Sequence, residues 1–243
     1  MHEKISNAVT EFSTRLKEVF ADDLLAVVLY GSAAGSAFRE GRSDINVLII
    51  LEKFNAAQIF KFGNAAKTLM RNSRISPFIM TREEFNAAAD VFPLEYCDIL
   101  EKHTIVYGEK EILNINVSRD NLRLQLEEKL RGAAGDLRSM LLAAGGNEKL
   151  LGTYFLRWAG LGGVLFRGLL RLKGKNVSGM DSEAIIEEVE KEYKISLQSF
   201  SILNRMRQNK KPGPFPVLTL ADTLLEPLSS LVHAVDSMDT KTK

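Results

Sequence analysis

The run Leu24 to Tyr30 (LLAVVLY) is short, apolar and rich in β-branched residues, and it stops at Gly31-Ser32. That is the pattern of a buried strand entering a turn. A second such run, Asp44 to Leu51 (DINVLIIL), follows a polar stretch. Around these two strands the chain alternates with helical periods. Ile5, Val9, Phe12, Leu16 and Val19 recur at helical spacing, so the first twenty residues read as an amphipathic helix. Asn55 to Met70 reads as a helix with Ala56, Ile59, Phe60, Ala66 and Leu69 on one side. A third strand is expected at Ile75 to Met80. Thr81, with Glu84 three residues on, forms a capping box for a helix running toward Asp90. Pro93 breaks the chain, Glu95 to Glu101 reads as helical, and Thr104 to Tyr107 as a short edge strand closed by Gly108.

After Ser118 strand signals stop, and only long helical periods remain: Arg119 to Ala144, Glu148 to Leu172, Asp181 to Tyr193, Leu197 to Asn209, and Leu220 to Ser237 with Pro227 inside it. Gly145-Gly146, Lys173 to Gly179 and Lys210 to Pro216 (KKPGPFP) connect them. The 243 residues suit one large domain or two modest ones. The change of character predicts two, with boundaries at 1–115 and 119–243.

With 45% hydrophobic and 26% charged residues the chain can build a core and stay in solution, which excludes disordered and fibrous classes. Thirty-two basic against 31 acidic side chains give a net charge of +1, so no overall field would hold it on nucleic acid or an anionic membrane. The single cysteine, Cys97, rules out an intrachain disulfide and speaks for a reducing, cytoplasmic setting. The N-terminus has no continuous apolar segment of a signal peptide, and the most apolar long stretch, Tyr154 to Leu172, is interrupted by Arg157, Arg167 and Arg171, so no membrane span is expected.

The chemistry-bearing segment is Leu24 to Leu51. Alternation along a strand points Asp44 and Asn46 the same way, presenting two oxygen ligands together. Gly31 lets backbone amides approach a phosphate, and the turn after Ser32 aims N–H groups at an anion. A phosphate cradle beside a hard-metal ligand pair is the expected site. Arg39 and Arg42 stand in the intervening loop, where they read as solvated surface charges that could also steady a triphosphate, Arg42 being the candidate for that role.

At these residues the sequence resembles the nucleotidyltransferase superfamily of polymerase-β-like fold, including the aminoglycoside and minimal nucleotidyltransferases. The family pattern is an apolar strand, Gly-Ser, an interval, then Asp, an apolar residue and a second acid. Gly31, Ser32, Asp44 and Ile45 match it, and Asn46 replaces the second acid. The resemblance covers Leu24 to Met80. It implies an α+β fold, a nucleotidyltransferase-like mixed sheet with flanking helices followed by an all-α helical bundle, with any active cleft between the two. It also implies Gly31 and Ser32 on nucleotide phosphates, and Asp44 and Asn46 as catalytic metal ligands for Mg2+, which neutralises charge as an attacking hydroxyl displaces pyrophosphate. The third acid of the family would fall on Ile75 to Met80, which holds none; Glu95 and Asp98 lie later, on a segment that reads as an amphipathic helix with a solvated face.

Three functions are therefore in play. One is transfer of a nucleoside monophosphate from a nucleoside triphosphate to a hydroxyl of a small molecule or protein. Another is a degraded, nucleotide-binding sensor or scaffold. The third is purely structural, with the helical half dimerising and the cleft empty. In the helical half, two basic groups (Arg167, Arg171, Lys173, Lys175; Arg205, Arg207, Lys210, Lys211) flank the acidic run Glu183 to Glu192 and either solvate helix ends or clamp an acidic ligand. Tyr154, Phe155, Trp158, Leu161, Leu165 and Leu169 form an apolar face, with Gly160, Gly162 and Gly163 permitting close approach, expected to bury against the first domain or a second copy in a homodimer.

Overall fold

The computed structural model describes residues 3–35, 38, 43–207 and 217–239, without the side chains of 156–161, 207, 217 and 218. The chain divides into two compact units, Met1–Ser118 and Arg119–Lys243.

The first unit is a four-stranded mixed sheet with helices on both faces. Its elements are α1 (Glu3–Phe20), β1 (Leu24–Tyr30), β2 (Ile45–Leu51), α2 (Ala56–Ser73), β3 (Ile75–Thr81), α3 (Arg82–Ala87), α4 (Pro93–Glu101) and β4 (His103–Tyr107). The spatial order is β3-β2-β1-β4, with β1 antiparallel to β2 and β4, and β2 parallel to β3. The β2–β3 connection is α2, the crossover that parallel neighbours require.

Both central strands are apolar on both sides, and each side has its own cover. On one, Ile5, Val9, Phe12, Leu16 and Phe20 of α1 and Phe62 and Ala66 of α2 pack on Val27, Leu29, Val47 and Ile49. On the other, Phe85 of α3 and Tyr96 and Ile99 of α4 pack on Ala26, Val28, Leu48, Ile50 and Met80. Phe85 and Tyr96 stack with ring centroids 4.9 Å apart. The Tyr96 hydroxyl donates to the Phe85 carbonyl at 2.6 Å, and burial with the nearby Asp90 charge pushes its pKa up to about 12.

Local signals account for the boundaries. The Thr81–Glu84 capping box is present in both directions, and Asn55 makes a second one with Gln58 at the start of α2. Pro93 opens α4 rather than merely breaking the chain, since its fixed φ suits the first helical turn. Two expectations need correction. Strand β2 begins at Ile45, so Asp44 precedes it. On α2, Phe60 is 70% exposed and Ala56 is exposed; Phe62 and Ala66 are the buried pair, with Ile59 and Leu69 partly buried beside them. Positions 59, 62, 66 and 69 lie on one helical stripe, and position 60 falls about 100° away from 59.

The second unit consists, among its described residues, of α5 (Arg119–Ala144), α6 (Glu148–Leu172), α7 (Ser182–Tyr193), α8 (Gln198–Arg207) and α9 (Val217–Asp236). Leu122, Leu126, Leu130 and Leu137 of α5 and Leu220, Leu224, Leu228, Leu231 and Val235 of α9 are buried at helical spacing. Pro227 sits inside α9 without ending it. Arg131 reaches both Glu127 (2.8 Å) and Asp236 (3.2 Å), tying α5 to α9. On α6, Phe155, Leu165 and Leu169 are buried, while the side chains of Trp158 and Leu161 lie outside the described residues. A Cβ at Gly162 would stand 3.5 Å from Phe200 of α8, ordinary contact, and Phe200 meets Phe166 edge-on at 4.9 Å.

Candidate functional site

Residues directly opposite each other on paired strands share a face, so the register places a polar row across one end of the sheet. Ser76 stands opposite Asn46, Asn46 opposite Tyr30, and Tyr30 opposite His103. The row lies on the face that α3 and α4 cover, one step beyond the buried Leu48 and Val28. Burial, then the charges of Asp98 and Glu95, hold the Tyr30 hydroxyl protonated beyond its usual range. Helix α4 buries Leu94, Tyr96 and Ile99 and leaves Glu95 exposed and Asp98 half-buried, as an amphipathic helix does. The His103 ring places Nδ1 2.9 Å from the Ile99 carbonyl at the end of α4.

The turn after β1 is a single 3-10 turn, Gly31–Ala34. Gly31 has φ +71°, a conformation that favours glycine, and a Cβ there would stand 3.4 Å from Asn46 Nδ2. The turn and Asn46 are therefore neighbours. The Gly31 N–H donates to the Lys102 carbonyl (3.1 Å) and the Gly35 N–H to the Ser32 carbonyl (3.2 Å), so the turn is tied to the end of α4. The Lys102 side chain folds back on it: a Cβ at Gly35 would fall 1.6 Å from Lys102 Cε and 1.9 Å from Nζ. Arg39 and Arg42 lie outside the described residues.

Asp44 is engaged. Arg74 stands one step before the Ile45–Ile75 pair, as Asp44 does, and its guanidinium donates to Asp44 Oδ1 from Nε at 3.0 Å and Nη2 at 2.8 Å. The backbone fixes this placement. Arg74 caps α2 in the left-handed conformation (φ +54°), and its carbonyl accepts the Ile45 N–H at 2.9 Å.

Charge decides what this constellation can hold. Asp44 carries one negative charge, a guanidinium sits on it, and Asn46 and Ser76 are neutral. Among the described residues no group of three His, Cys, Asp or Glu side chains converges as a metal site. Mg2+ binds through oxygen ligands among which carboxylates supply the neutralising charge. Asp44, paired with Arg74, and its neutral neighbours Asn46 and Ser76 do not by themselves fit a metal-triphosphate centre.

Sequence reasoning missed Arg74, Lys102, Ser76 and Tyr30. One signal for Arg74 existed: like Asp44, it immediately precedes an apolar strand. Two of the basic residues of the second unit are engaged within it. Arg167 donates to the Val177 and Met180 carbonyls, and Lys175 pairs with Glu192 (2.7 Å) and Glu188 (3.3 Å) of the acidic run. Lys210 and Lys211 lie outside the described residues. No described helix is long and apolar enough to cross a membrane.

No protein-family model matches the sequence, and no curated protein matches it. Solved structures do. A spectinomycin adenyltransferase from Enterococcus faecialis, determined with ATP and spectinomycin, is similar over 95% of this chain and 99% of that one at 10% identity, with a TM-score of 0.56. Together with the mixed sheet and the helices after it, this likeness gives the chain an α+β, nucleotidyltransferase-like fold.

Proposed function

We propose that this chain binds a nucleoside triphosphate at the Gly31 turn and holds it without efficient transfer of its nucleoside monophosphate. The observation that carries this reading is the Arg74 guanidinium on Asp44, with Asn46 and Ser76 neutral beside it. Transfer to a hydroxyl expels pyrophosphate, and charge building on the phosphates must be neutralised. Catalytic Mg2+ would supply that neutralisation in a nucleotidyltransferase, but here the single charge of Asp44 is already paired with Arg74. What supports nucleotide binding is the turn, whose positive-φ glycine abuts Asn46, and the fold shared with an enzyme solved with ATP. Tyr30, held neutral, offers a hydroxyl to a bound polar group without adding charge.

The second reading is Mg2+-dependent transfer to a hydroxyl of a small molecule or protein. It is favoured by the retention of Asp44, whose side chain is 56% exposed, and by the nearness of Asp98 and Glu95 to Tyr30. Calorimetric titration with ATP, together with pyrophosphate release in Mg2+ over a panel of aminoglycoside and protein acceptors, separates the two. Binding with no acceptor-dependent release is expected. Acceptor-dependent release at enzymatic rates would establish transfer. The same preparation, sedimented, tests pairing of two copies through the helical unit.

A further inference from the structure

The geometry points to a metal-independent phosphate site at the Gly31–Gly35 turn, charged by Lys102. It rests on the nucleotide-binding reading and adds what replaces the metal.

Lys102 is held to the turn twice. Its carbonyl accepts the Gly31 N–H at 3.1 Å, while its own N–H closes α4 on the Asp98 carbonyl at 3.3 Å. Its side chain then returns across the far end of the same turn, where a Gly35 Cβ would overlap Cε (1.6 Å), Nζ (1.9 Å) and Cδ (2.9 Å). Gly35 has φ −147° and ψ −162°, extended values open to any residue. Glycine is required there by space, and the space is filled by the lysine. Among the described residues no carboxylate pairs with the Lys102 ammonium.

A compact ammonium with three donors, laid on the backbone of a turn, suits phosphate oxygens as a point charge. At the same end of the sheet Asn46 and Ser76 are neutral and Asp44 is paired with Arg74. The ligand that matches is the uncomplexed triphosphate of a nucleotide. Mg2+ would lower the charge of that triphosphate without gaining ligands from the protein, so it should weaken binding.

The test uses the full chain and measures ATP and inorganic triphosphate by calorimetry, in EDTA and in Mg2+, for wild type, Lys102→Gln, Lys102→Arg and Gly35→Ala. Thermal melts of each variant report folding. Gly35→Ala keeps the charge but displaces it, so it tests the site even if Lys102→Gln misfolds. Both ligands should bind in EDTA. Lys102→Gln and Gly35→Ala should each weaken them by about tenfold, with Lys102→Arg largely retaining affinity. ATP binding that requires Mg2+, or that ignores both Lys102→Gln and Gly35→Ala in EDTA, overturns this inference and leaves nucleotide binding standing. Lys102-dependent binding of inorganic triphosphate without ATP binding upholds the site and overturns the nucleotide reading. Binding of neither ligand overturns both.

Discussion

Replacing Arg74 by glycine separates its structural contribution from its electrostatic one. Arg74 sits at φ +54°, ψ +40°, where a residue with a Cβ costs about 1 to 2 kcal/mol and glycine does not. Its bond to Asp44 joins side chains 48% and 56% exposed, a setting in which an ion pair contributes about 0.2 to 1 kcal/mol. Glycine also loosens the unfolded chain, which offsets about 0.4 to 1 kcal/mol. The backbone bond from Ile45 N–H to the Arg74 carbonyl survives. Arg74→Gly should therefore stay within about 1.5 kcal/mol of wild type in urea unfolding, and Arg74→Ala, which keeps the strain and loses the pair, should be the less stable of the two. The electrostatic consequence is larger in proportion. Two unit charges about 4 Å apart in water interact by about 1 kcal/mol, so a guanidinium that far from a divalent ion is worth about 2 kcal/mol, or about thirtyfold in affinity. Releasing Asp44 should raise Mg2+ affinity about thirtyfold, and adding Asn46→Asp about as much again, read by calorimetry. Unchanged Mg2+ affinity in the double variant would refute the view that the Arg74 guanidinium keeps a cation from Asp44. A loss above about 3 kcal/mol in Arg74→Gly would refute the exposed-pair reasoning.

Gly108 has φ +93°, and a Cβ there would lie 2.2 Å from the Leu25 carbonyl oxygen and 2.9 Å from Ala26 Cα, so Gly108→Ala should cost about 2 to 5 kcal/mol in denaturant unfolding. Phe62, 2% exposed and edge-on to Phe12 at 5.2 Å, should cost about 3 to 5 kcal/mol on truncation to alanine, whereas Phe60→Lys should change stability by no more than about 0.5 kcal/mol. Hydrogen bonding to Arg131, and then to Arg123, holds the Glu127 carboxyl below its ordinary value of 4.5. A depressed carboxyl stabilises the fold above that value and ceases to as pH falls through its folded one, so Glu127→Gln should flatten the acid limb of a melting-temperature profile. Lys175 is raised above 10.5 by Glu192 and Glu188; its contribution is complete below 10.5 and lost as pH climbs through the raised value, so Lys175→Gln should flatten the alkaline limb.

The sheet was legible because its central strands advertise themselves. Seven apolar residues ending at a glycine that must take φ +71° leave few alternatives to a buried strand and a turn. The face of α2 was less legible, since Phe60 and Phe62 are equally apolar and only the stripe through Ile59, Ala66 and Leu69 chooses between them. The partner of Asp44 was not legible from local pattern at all. Arg74 reaches it across a parallel pairing whose register is set after an intervening helix, and no spacing rule links positions thirty residues apart. Lys102 was hidden for the same reason, because its approach to Gly35 depends on where α4 delivers the chain to the edge strand.

These hidden residues share a chemical sense. A pair of carboxylates without a cation repels itself, whereas the neutral Asn46 and Ser76 neither repel each other nor bring a charge to a metal. The Asp44 carboxylate finds its counter-charge in an arginine at the matching position before the neighbouring strand. Reinstating one acid alone would then leave Arg74 competing with the ion for Asp44. This is why recovery of metal affinity is expected to need both Asn46→Asp and removal of the guanidinium, and why a single Asn46→Asp substitution should recover only part of it.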